Sequence, residues 1–334
     1  MESPVTRPTG WGDPPAKPPT LDDIRRAAER IRGVAVRTPL VPLAGNDGIR
    51  LKPETLQPAG SFKLRGAWNW AAGRSPVERQ RGFSTFSAGN TALALGWCAR
   101  RFGVSCRSLL PDYAPDSKLA ALRTAGVETV LIPFARMADW LFRAGWRDEP
   151  WTFLHPWTEP AMLAGHGTIG LEIAEDCQNV SNVFVPVGGG ALLGGVAAAL
   201  KALVPAVRVV AVQSEACPAL AAARRAGRPV WIEPGPTLCD GTAVPFITDA
   251  MYPLLAALAD DVVTVTEAEV GTAIRRLWSG NGIRAEGAGA LALAAAIKSG
   301  PGRGPAVALV TGGSIDNSTF DKVLSAGPVA ASGY

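Results

Sequence analysis

The segment Val183-Phe184-Val185-Pro186-Val187 contains no charged or amide residue, and it runs straight into Gly188-Gly189-Gly190. A strand that does not alternate apolar with polar residues is buried on both faces, which points to a parallel sheet covered by helices. This pattern constrains the whole chain, because it recurs. Residues 81–87, 104–110, 128–132, 207–212 and 306–310 also read as strands. Between them, residues 90–102, 116–125, 192–203 and 267–278 read as helices, the first two closed by Gly103 and Gly126. An earlier helix starts from Thr20, an N-cap followed by Leu21, Asp22 and Asp23, and ends at Gly33. No repeat of solenoid period interrupts the alternation. The fold class is α/β, with open, twisted, parallel sheets.

Composition narrows the class further. Hydrophobic residues make up 47% and charged residues 19% of 334, enough to bury one large core or two ordinary ones. Residues 1–19 hold six prolines and two glycines and are expected to form a flexible N-terminal tail. The net charge is +4, and basic pairs such as Arg25-Arg26, Arg100-Arg101 and Arg224-Arg225 are scattered rather than striped. That argues against nucleic acid as a partner. The longest apolar stretch, 191–204, is broken by Gly194, Gly195 and Lys201, so no membrane span is expected. Acidic Glu2 and the early prolines do not read as a signal peptide, and a cytoplasmic location is the expectation. Five cysteines without Cys-x-x-Cys spacing read as reduced thiols. The only histidines are His155 and His166, too few for a zinc cluster, and no metal is expected.

Three features carry chemistry. Lys63 lies in Gly60-Ser61-Phe62-Lys63-Leu64-Arg65-Gly66, among small and apolar residues that would desolvate its amine and make it nucleophilic. A surface lysine opening a helix is the plainer alternative. Gly188-Gly189-Gly190 between a strand and a helix lets backbone N–H groups converge on an anion. The alternative is a tight turn with close packing. Leu193 stands at the third glycine position of a dinucleotide fingerprint and no Walker lysine follows, so neither of those phosphate motifs is present. Thr311-Gly312-Gly313 ends the strand at 306–310, where a hydroxyl faces the ligand crevice of a parallel sheet. An amine, a phosphate cradle and a hydroxyl together fit pyridoxal 5′-phosphate (PLP), an aldehyde with a phosphate and a weakly basic ring nitrogen.

With those features in place, the chain resembles the fold-type II PLP enzymes, the tryptophan synthase β-like fold, and within them the serine/threonine dehydratase and serine racemase group. The resemblance rests on Glu54-Thr55-Leu56-Gln57, Ser61 to Ala67, Ser87-Ala88-Gly89-Asn90, Gly165 to Glu172, Gly188 to Leu192, Asp240 to Val244, Glu286 to Ala290 and Thr311-Gly312-Gly313. It implies that Lys63 carries the cofactor as a Schiff base and acts as the catalytic base. It implies that Phe62 flanks the ring, Asn90 bonds its O3′ and Glu286 lines it. Gly188, Gly189, Gly190, Ala191 and Leu192 would wrap the phosphate, and Thr311 would face the ring nitrogen. Ser87, Ala88, Gly89, Asn90 and Thr91 would receive the substrate carboxylate. The implied activity is α,β-elimination from a β-hydroxy-α-amino acid to a 2-oxo acid and ammonia. Two α/β domains are expected, a large one from 20–78 and 153–334 and a small mobile one from 79–152, with the site between them. A homodimer is implied as well.

Departures from that pattern sharpen the reading. Ala88 stands where racemases carry a second serine, and a methyl group cannot move a proton, so racemisation is disfavoured. Ala191 replaces a fourth glycine, which is tolerable only if its φ is negative. Gln213 and Ala219 replace carboxylate metal ligands. Trp157, in His155-Pro156-Trp157, could build an aromatic pocket for a bulky substrate such as phenylserine, although ordinary core packing is the weightier reading. The rivals are a racemase or β-replacement synthase on the same fold, a nicotinamide oxidoreductase, and a non-catalytic binding protein.

Overall fold

The computed structural model describes residues 9–10, 12–300, 302 and 304–326. Its strands are β1 (Val41–Leu43), β2 (Asn46–Pro53), β3 (Phe83–Phe86), β4 (Cys106–Pro111), β5 (Glu128–Ile132), β6 (Thr152–Phe153), β7 (Asn182–Pro186), β8 (Arg208–Ser214), β9 (Asp261–Val265) and β10 (Ala306–Val310). Its helices are α1 (Leu21–Ile31), α2 (Lys63–Ala72), α3 (Pro76–Gln80), α4 (Asn90–Phe102), α5 (Asp116–Thr124), α6 (Phe134–Phe142), α7 (Pro160–Asp176), α8 (Ala191–Leu203), α9 (Ala219–Ala226), α10 (Tyr252–Leu258), α11 (Glu267–Asn281), α12 (Gly287–Ser299) and α13 (Asn317–Ser325).

The strands form two sheets. One has six strands in the order β1-β2-β10-β7-β8-β9, the other four in the order β5-β4-β3-β6. Every pairing is parallel except β1 with β2, an antiparallel hairpin at the edge of the larger sheet. The hairpin adds one antiparallel edge strand to an otherwise parallel sheet. A two-residue connection can join strands only antiparallel, since a parallel pair needs a long crossover. Chain position divides less cleanly than the boundary expected at 152/153, because β6 extends the smaller sheet through Phe153.

Period-two geometry sends alternate residues of each buried strand to opposite faces. Val183, Val185, Val209, Ala211 and Leu309 pack with α7 and α8 on one face of the larger sheet. Phe184, Val210, Val212, Ala308 and Val310 pack with α11 and α12 on the other. The smaller sheet has its own core, which takes in Leu64, Ala67, Trp70 and Ala71 from α2. Helix α2 thus lies between the two cores. Small residues bring its neighbours close. A Cβ on Gly165 of α7 would lie 2.6 Å from the carbonyl oxygen of Arg65, and one on Gly195 of α8 would lie 2.1 Å from that of Leu163.

A buried charge cluster fixes this arrangement. Arg65 donates from Nε to Glu54 Oε2 at 2.7 Å and from Nη2 to Glu54 Oε1 at 2.8 Å. It also donates to Glu172, from Nη1 to Oε1 at 2.6 Å and from Nη2 to Oε2 at 2.9 Å. Lys52 Nζ bonds Glu172 Oε2 and the carbonyl of Thr38, both at 2.6 Å. Thr38 and Gln57 each add a hydrogen bond to Glu54. Two cations and two anions cancel, and the cluster ties β2, the 3₁₀ turn Glu54–Leu56, α2 and α7 together.

Within the segment expected as a loose tail over 1–19, described residues make specific contacts with the body of the fold. Asp249 and Thr9 exchange hydrogen bonds at 2.8 and 3.0 Å, and Ala16 N donates to Ala250 O at 2.8 Å. Asp13 pairs with Arg147. Prolines preset φ, so ordering such a segment costs less entropy than ordering a glycine-rich one. Residues 1–8 and 11 lie outside the described residues. Among the described residues no helix is long and apolar enough to cross a membrane.

Glu172→Ala leaves Arg65 and Lys52 buried without half their counter-charge, and removing one partner of such a pair costs about 3–5 kcal/mol. Urea denaturation with the cofactor removed measures this; a loss below about 1 kcal/mol contradicts it. Burial raises the Glu54 pKa, but the Arg65 guanidinium outweighs it and holds the carboxyl below its ordinary 4.5. Its stabilisation is therefore present above 4.5 and lost as pH falls through the lowered folded value.

Candidate active site

Five chain segments meet at the carboxyl ends of the larger sheet's strands, where open parallel sheets bind ligands. The meeting is held by backbone. Phe62 N donates to Thr311 O at 3.0 Å, Glu286 N to Gly312 O at 3.1 Å, and Gly313 N to Gly60 O at 3.1 Å, while Ser61 bridges Gly312. Thr311 ends β10, Lys63 opens α2, Asn90 opens α4, Glu286 caps α12, and Gly190 caps α8. The residues singled out in the sequence at Lys63, Asn90, Glu286 and Thr311 thus come together.

Lys63 is half-buried, its Nζ 4.8 Å from the Phe62 ring centroid. Desolvation pulls its pKa down from 10.5 to about 8, opposed by the charge of Glu286. Roughly a tenth of the amine is then neutral at pH 7, far more than for a lysine in water. Glu286 is buried, and burial pushes its pKa up to about 7, with the charge of Asp240 adding to the effect and the Asn90 hydrogen bond opposing it. That bond runs from Asn90 Nδ2 to Glu286 Oε1 at 2.6 Å. Thr311 is buried and donates to Ala288 O through a long hydrogen bond of 3.3 Å.

The glycine turn lies on the same crevice. Gly190 has φ +99° and leads into α8, and Ala191 and Leu192 form the first turn of that helix. Ala191 is helical with negative φ, since Ala144 is the one positive-φ residue other than glycine among the described residues. A Cβ on Gly188 would lie 3.1 Å from Thr242 Cα, and one on the neighbouring Gly241 would lie 3.9 Å from Glu286 Oε1. The turn therefore faces Glu286 across residues 240–242.

The loop 87–90 is braced from the smaller sheet. Ser108 Oγ accepts from Ser87 N at 3.0 Å and donates to Ser87 O at 2.8 Å, and Ser87 Oγ accepts from Gly89 N at 3.2 Å. Ala88 and Gly89 are half-buried and Thr91 is buried. The first N–H groups of α4 have no intrahelical acceptor, so this end of the helix favours a carboxylate. Trp157 packs edge-on against Phe86 at 5.2 Å and Phe246 at 6.0 Å. A Cβ on Gly189 would lie 2.3 Å from its indole, so Trp157 abuts the glycine turn.

Neither histidine suits proton transfer. His155 Nδ1 accepts from Thr158 N at 3.2 Å, and burial pulls its pKa down to about 3. His166 is fully buried beside Phe62, ring centroids 4.7 Å apart, and burial with the charges of Lys63 and Arg65 holds its pKa well below 6.5. Gln213 braces the turn into α9: its Oε1 accepts from Leu220 N at 2.9 Å and Ala221 N at 3.1 Å. Among the described residues no group of three or more His, Cys, Asp or Glu could hold a metal ion.

The site fits PLP on its own geometry. Ser61 Oγ and Asn90 Oδ1 are buried polar atoms with no partner among the described residues, and buried polar groups normally have one. Added side chains at Gly189 and Gly190 would collide with Trp157 and Leu255, so the turn there must stay bare backbone. An anion cradle, a depressed lysine pKa and unsatisfied polar atoms on one crevice define a PLP-binding site in an α/β enzyme.

Over residues 31–312 the chain matches the family described as pyridoxal-phosphate dependent enzyme, and it belongs to that family. It is 40% identical over 320 residues to an L-threonine ammonia-lyase of Thermotoga maritima, covering 93% of this chain and 79% of that one. It is 34% identical to the catabolic L-threonine dehydratase of Escherichia coli, covering 92% of this chain and 96% of that one. Among solved structures, a threonine deaminase from T.th. superposes with TM-score 0.81 at 33% identity, over 89% of this chain and 99% of that one. Maize serine racemase also gives 0.81, at 26% identity, over 92% and 97%. Within the family the chain falls in the fold-type II serine/threonine dehydratase-like group of PLP-dependent lyases.

Sequence reasoning named Glu54, Arg65 and Glu172 only as matching stretches and gave them no role. The signal was there: Lys52, Glu54, Arg65 and Glu172 are charges set in apolar surroundings, and such charges are paired when buried. It missed Asp240 and Lys118 as neighbours of Glu286 altogether, because nothing local in the sequence brings residue 118 to residue 240.

Gly190→Ala forces an alanine to φ +99° and places its Cβ 2.5 Å from Leu255. The left-handed strain alone is about 1–2 kcal/mol, so PLP retention should fall about tenfold. Cofactor absorbance after dialysis reads this; unchanged retention would show that the turn does not cradle the phosphate.

Proposed function

We propose that this chain removes the β-hydroxyl of a threonine- or serine-type amino acid by α,β-elimination and releases a 2-oxo acid and ammonia. The observation that carries the reading is a lysine amine with a depressed pKa on the same crevice as an anion-binding glycine turn. The relatives named as threonine ammonia-lyase and dehydratase support the substrate class. Bound PLP supplies the electron sink that acidifies the substrate Cα–H bond.

The chain's own residues do the rest. Lys63 holds the cofactor and, once freed, takes the Cα proton with its neutral amine. Gly188, Gly189, Gly190, Ala191 and Leu192 hold the phosphate with backbone N–H groups. Phe62 flanks the ring, and the unpaired Oδ1 of Asn90 lies ready for the ring hydroxyl. Thr311 offers the ring nitrogen a hydroxyl rather than a carboxylate, which suits prompt departure of the β-hydroxyl better than transamination. Glu286 lines the ring; its ionised form favours a protonated Lys63, its neutral form the free amine. The loop from Ser87 through Thr91 receives the substrate carboxylate. Ala88 has no proton to exchange, so the second face of Cα has no base and racemisation is not favoured. The small unit, 79–152, moves onto the large one when substrate binds and excludes water. A homodimer and a cytoplasmic location, drawn from the family resemblance, complete the proposal.

Trp157 bears on side-chain preference. Its ring is engaged with Phe86, Phe246 and the Gly189 backbone, so it acts as a wall and favours a small β-substituent over the phenyl ring of phenylserine. A kcat/KM for phenylserine above that for L-threonine would sink this preference.

The test is 2-oxo acid release from L-threonine, L-serine and phenylserine by PLP-loaded protein. Release should fall in Lys63→Ala by about 10²–10⁴-fold or more, the usual contribution of a general base. The rate in the wild type should rise with pH toward about 8 as the Lys63 amine loses its proton. A PLP-loaded protein that releases no 2-oxo acid but exchanges or replaces substituents would overturn the reading in favour of a racemase or synthase.

A further inference from the structure

Two polar contacts near Glu286 join the unit built on the smaller sheet to the larger one. Asn90, at the start of α4, donates to Glu286. Lys118, in the first turn of α5, forms an ion pair with Asp240. Asp240 opens the 3₁₀ turn Asp240–Thr242, which packs on Gly188 on one side and comes near Glu286 through Gly241 on the other. The ion pair is half-exposed, with side-chain exposures of 34% and 51%, so its direct worth to stability is small. Its position is the informative part: it spans 122 residues of chain and sits beside a carboxyl that acts on Lys63.

We infer that Lys118 is a positioning residue for the reaction: its ion pair with Asp240 holds α5 down on the turn at 240–242 and keeps the Asp240 carboxylate from acting at full strength on Glu286. The inference rests on the role proposed above for Glu286. Three charged groups bear on that carboxyl. Lys63 faces it from α2, Asp240 from the turn and Lys118 from α5. Cys239, next to the turn, has its thiol pushed up by burial and by nearby carboxylates, and stays neutral. Asp240 favours the protonated form of Glu286, whereas Lys118 and Lys63 favour the ionised form. Closing α5 onto the turn brings Lys118 in with its charge, so closure and the charge on Glu286 are linked.

The prediction has a sign that a merely structural salt bridge lacks. Lys118→Met removes the neutralising cation, so the Glu286 titration moves up in pH. Asp240→Asn removes the anion, so the titration moves down. Both shifts should be on the order of half a pH unit, and the double variant should fall between the two singles. The readout is the pH titration of cofactor absorbance in PLP-loaded protein near pH 7, followed beside the pH profile of kcat/KM. Cofactor absorbance also reports that each variant is folded. Glu286→Gln should abolish the titration; if it persists there, the reading of Glu286 fails. If Glu286→Gln abolishes it and the two single variants then shift it in the same direction, or not at all, the role of Lys118 is overturned while Glu286 stands.

Discussion

The site depends on the buried pairing of Arg65 with Glu54 and Glu172. Bringing a guanidinium into a protein interior is expensive, and only near-complete hydrogen bonding repays it. Here the planar fork of Arg65 meets two carboxylates, and Lys52 supplies the second positive charge. The result is a neutral knot with almost no exposed surface. Arg65 lies two residues beyond Lys63, in the first turn of α2. Fixing the guanidinium against β2 and α7 therefore fixes where α2 begins, and with it the directions of Phe62 and Lys63. The close glycine contacts of α7 with α2 and α8 serve the same end, since they let the helix carrying Glu172 reach Arg65.

A few residues away the interior treats charge in the opposite way. Arg65 has as many counter-charges as it needs, so its charged state is reinforced. Among the described residues Lys63 is opposed by the charge of Glu286, and Glu286 has Asp240 working against it. Burial without full pairing moves both pKa values toward neutrality, to about 8 and about 7. The same burial thus leaves the fully paired Arg65 charged, while it lowers the pKa of Lys63. His166 sits between the two regimes, pressed against Phe62, and burial, helped by both nearby cations, holds it neutral. A charged imidazole there would repel Lys63 and Arg65 alike.

How much of this was legible in the sequence follows from the same physics. Local signals carried far. Helix α4 spans Asn90–Phe102 and closes at a left-handed Gly103, strand β5 spans Glu128–Ile132, and Thr20 caps α1 with a capping box, as their turn and capping residues indicated. The negative φ required of Ala191 is present. What escaped was set by tertiary contact. Helices α7 and α12 are buried on nearly every side, so they show no apolar stripe, and their glycines and alanines serve close packing rather than propensity. The hairpin of β1 and β2 carries Asn46, Asp47 and Gly48 within its second strand, residue types that are poor strand formers. The motif residues of the site were legible as types, but the Asn90–Glu286 bond and the Lys118–Asp240 pair join segments more than 100 residues apart.

The two sheets also divide the labour of the proposed reaction. The groups assigned to hold the cofactor, Lys63, Gly188 to Leu192, Glu286 and Thr311, stand on elements anchored to the larger sheet and to the Arg65 knot. The loop from Ser87 to Thr91 is braced instead by Ser108 of the smaller sheet. Cofactor retention and substrate reception are therefore separate mechanical problems in this fold. The first needs rigidity, which a neutral buried charge cluster and glycine-close helices supply. The units share apolar packing, since Leu64, Ala67, Trp70 and Ala71 of α2 lie in the smaller sheet's core and Phe86 meets Trp157. At Glu286 itself the joining contacts are polar, one hydrogen bond and one half-exposed ion pair, each of small worth to stability. Asn90 and Lys118, both on the smaller unit, reach Glu286 and Asp240 on the larger one, so the charge environment of Lys63 is built from both units.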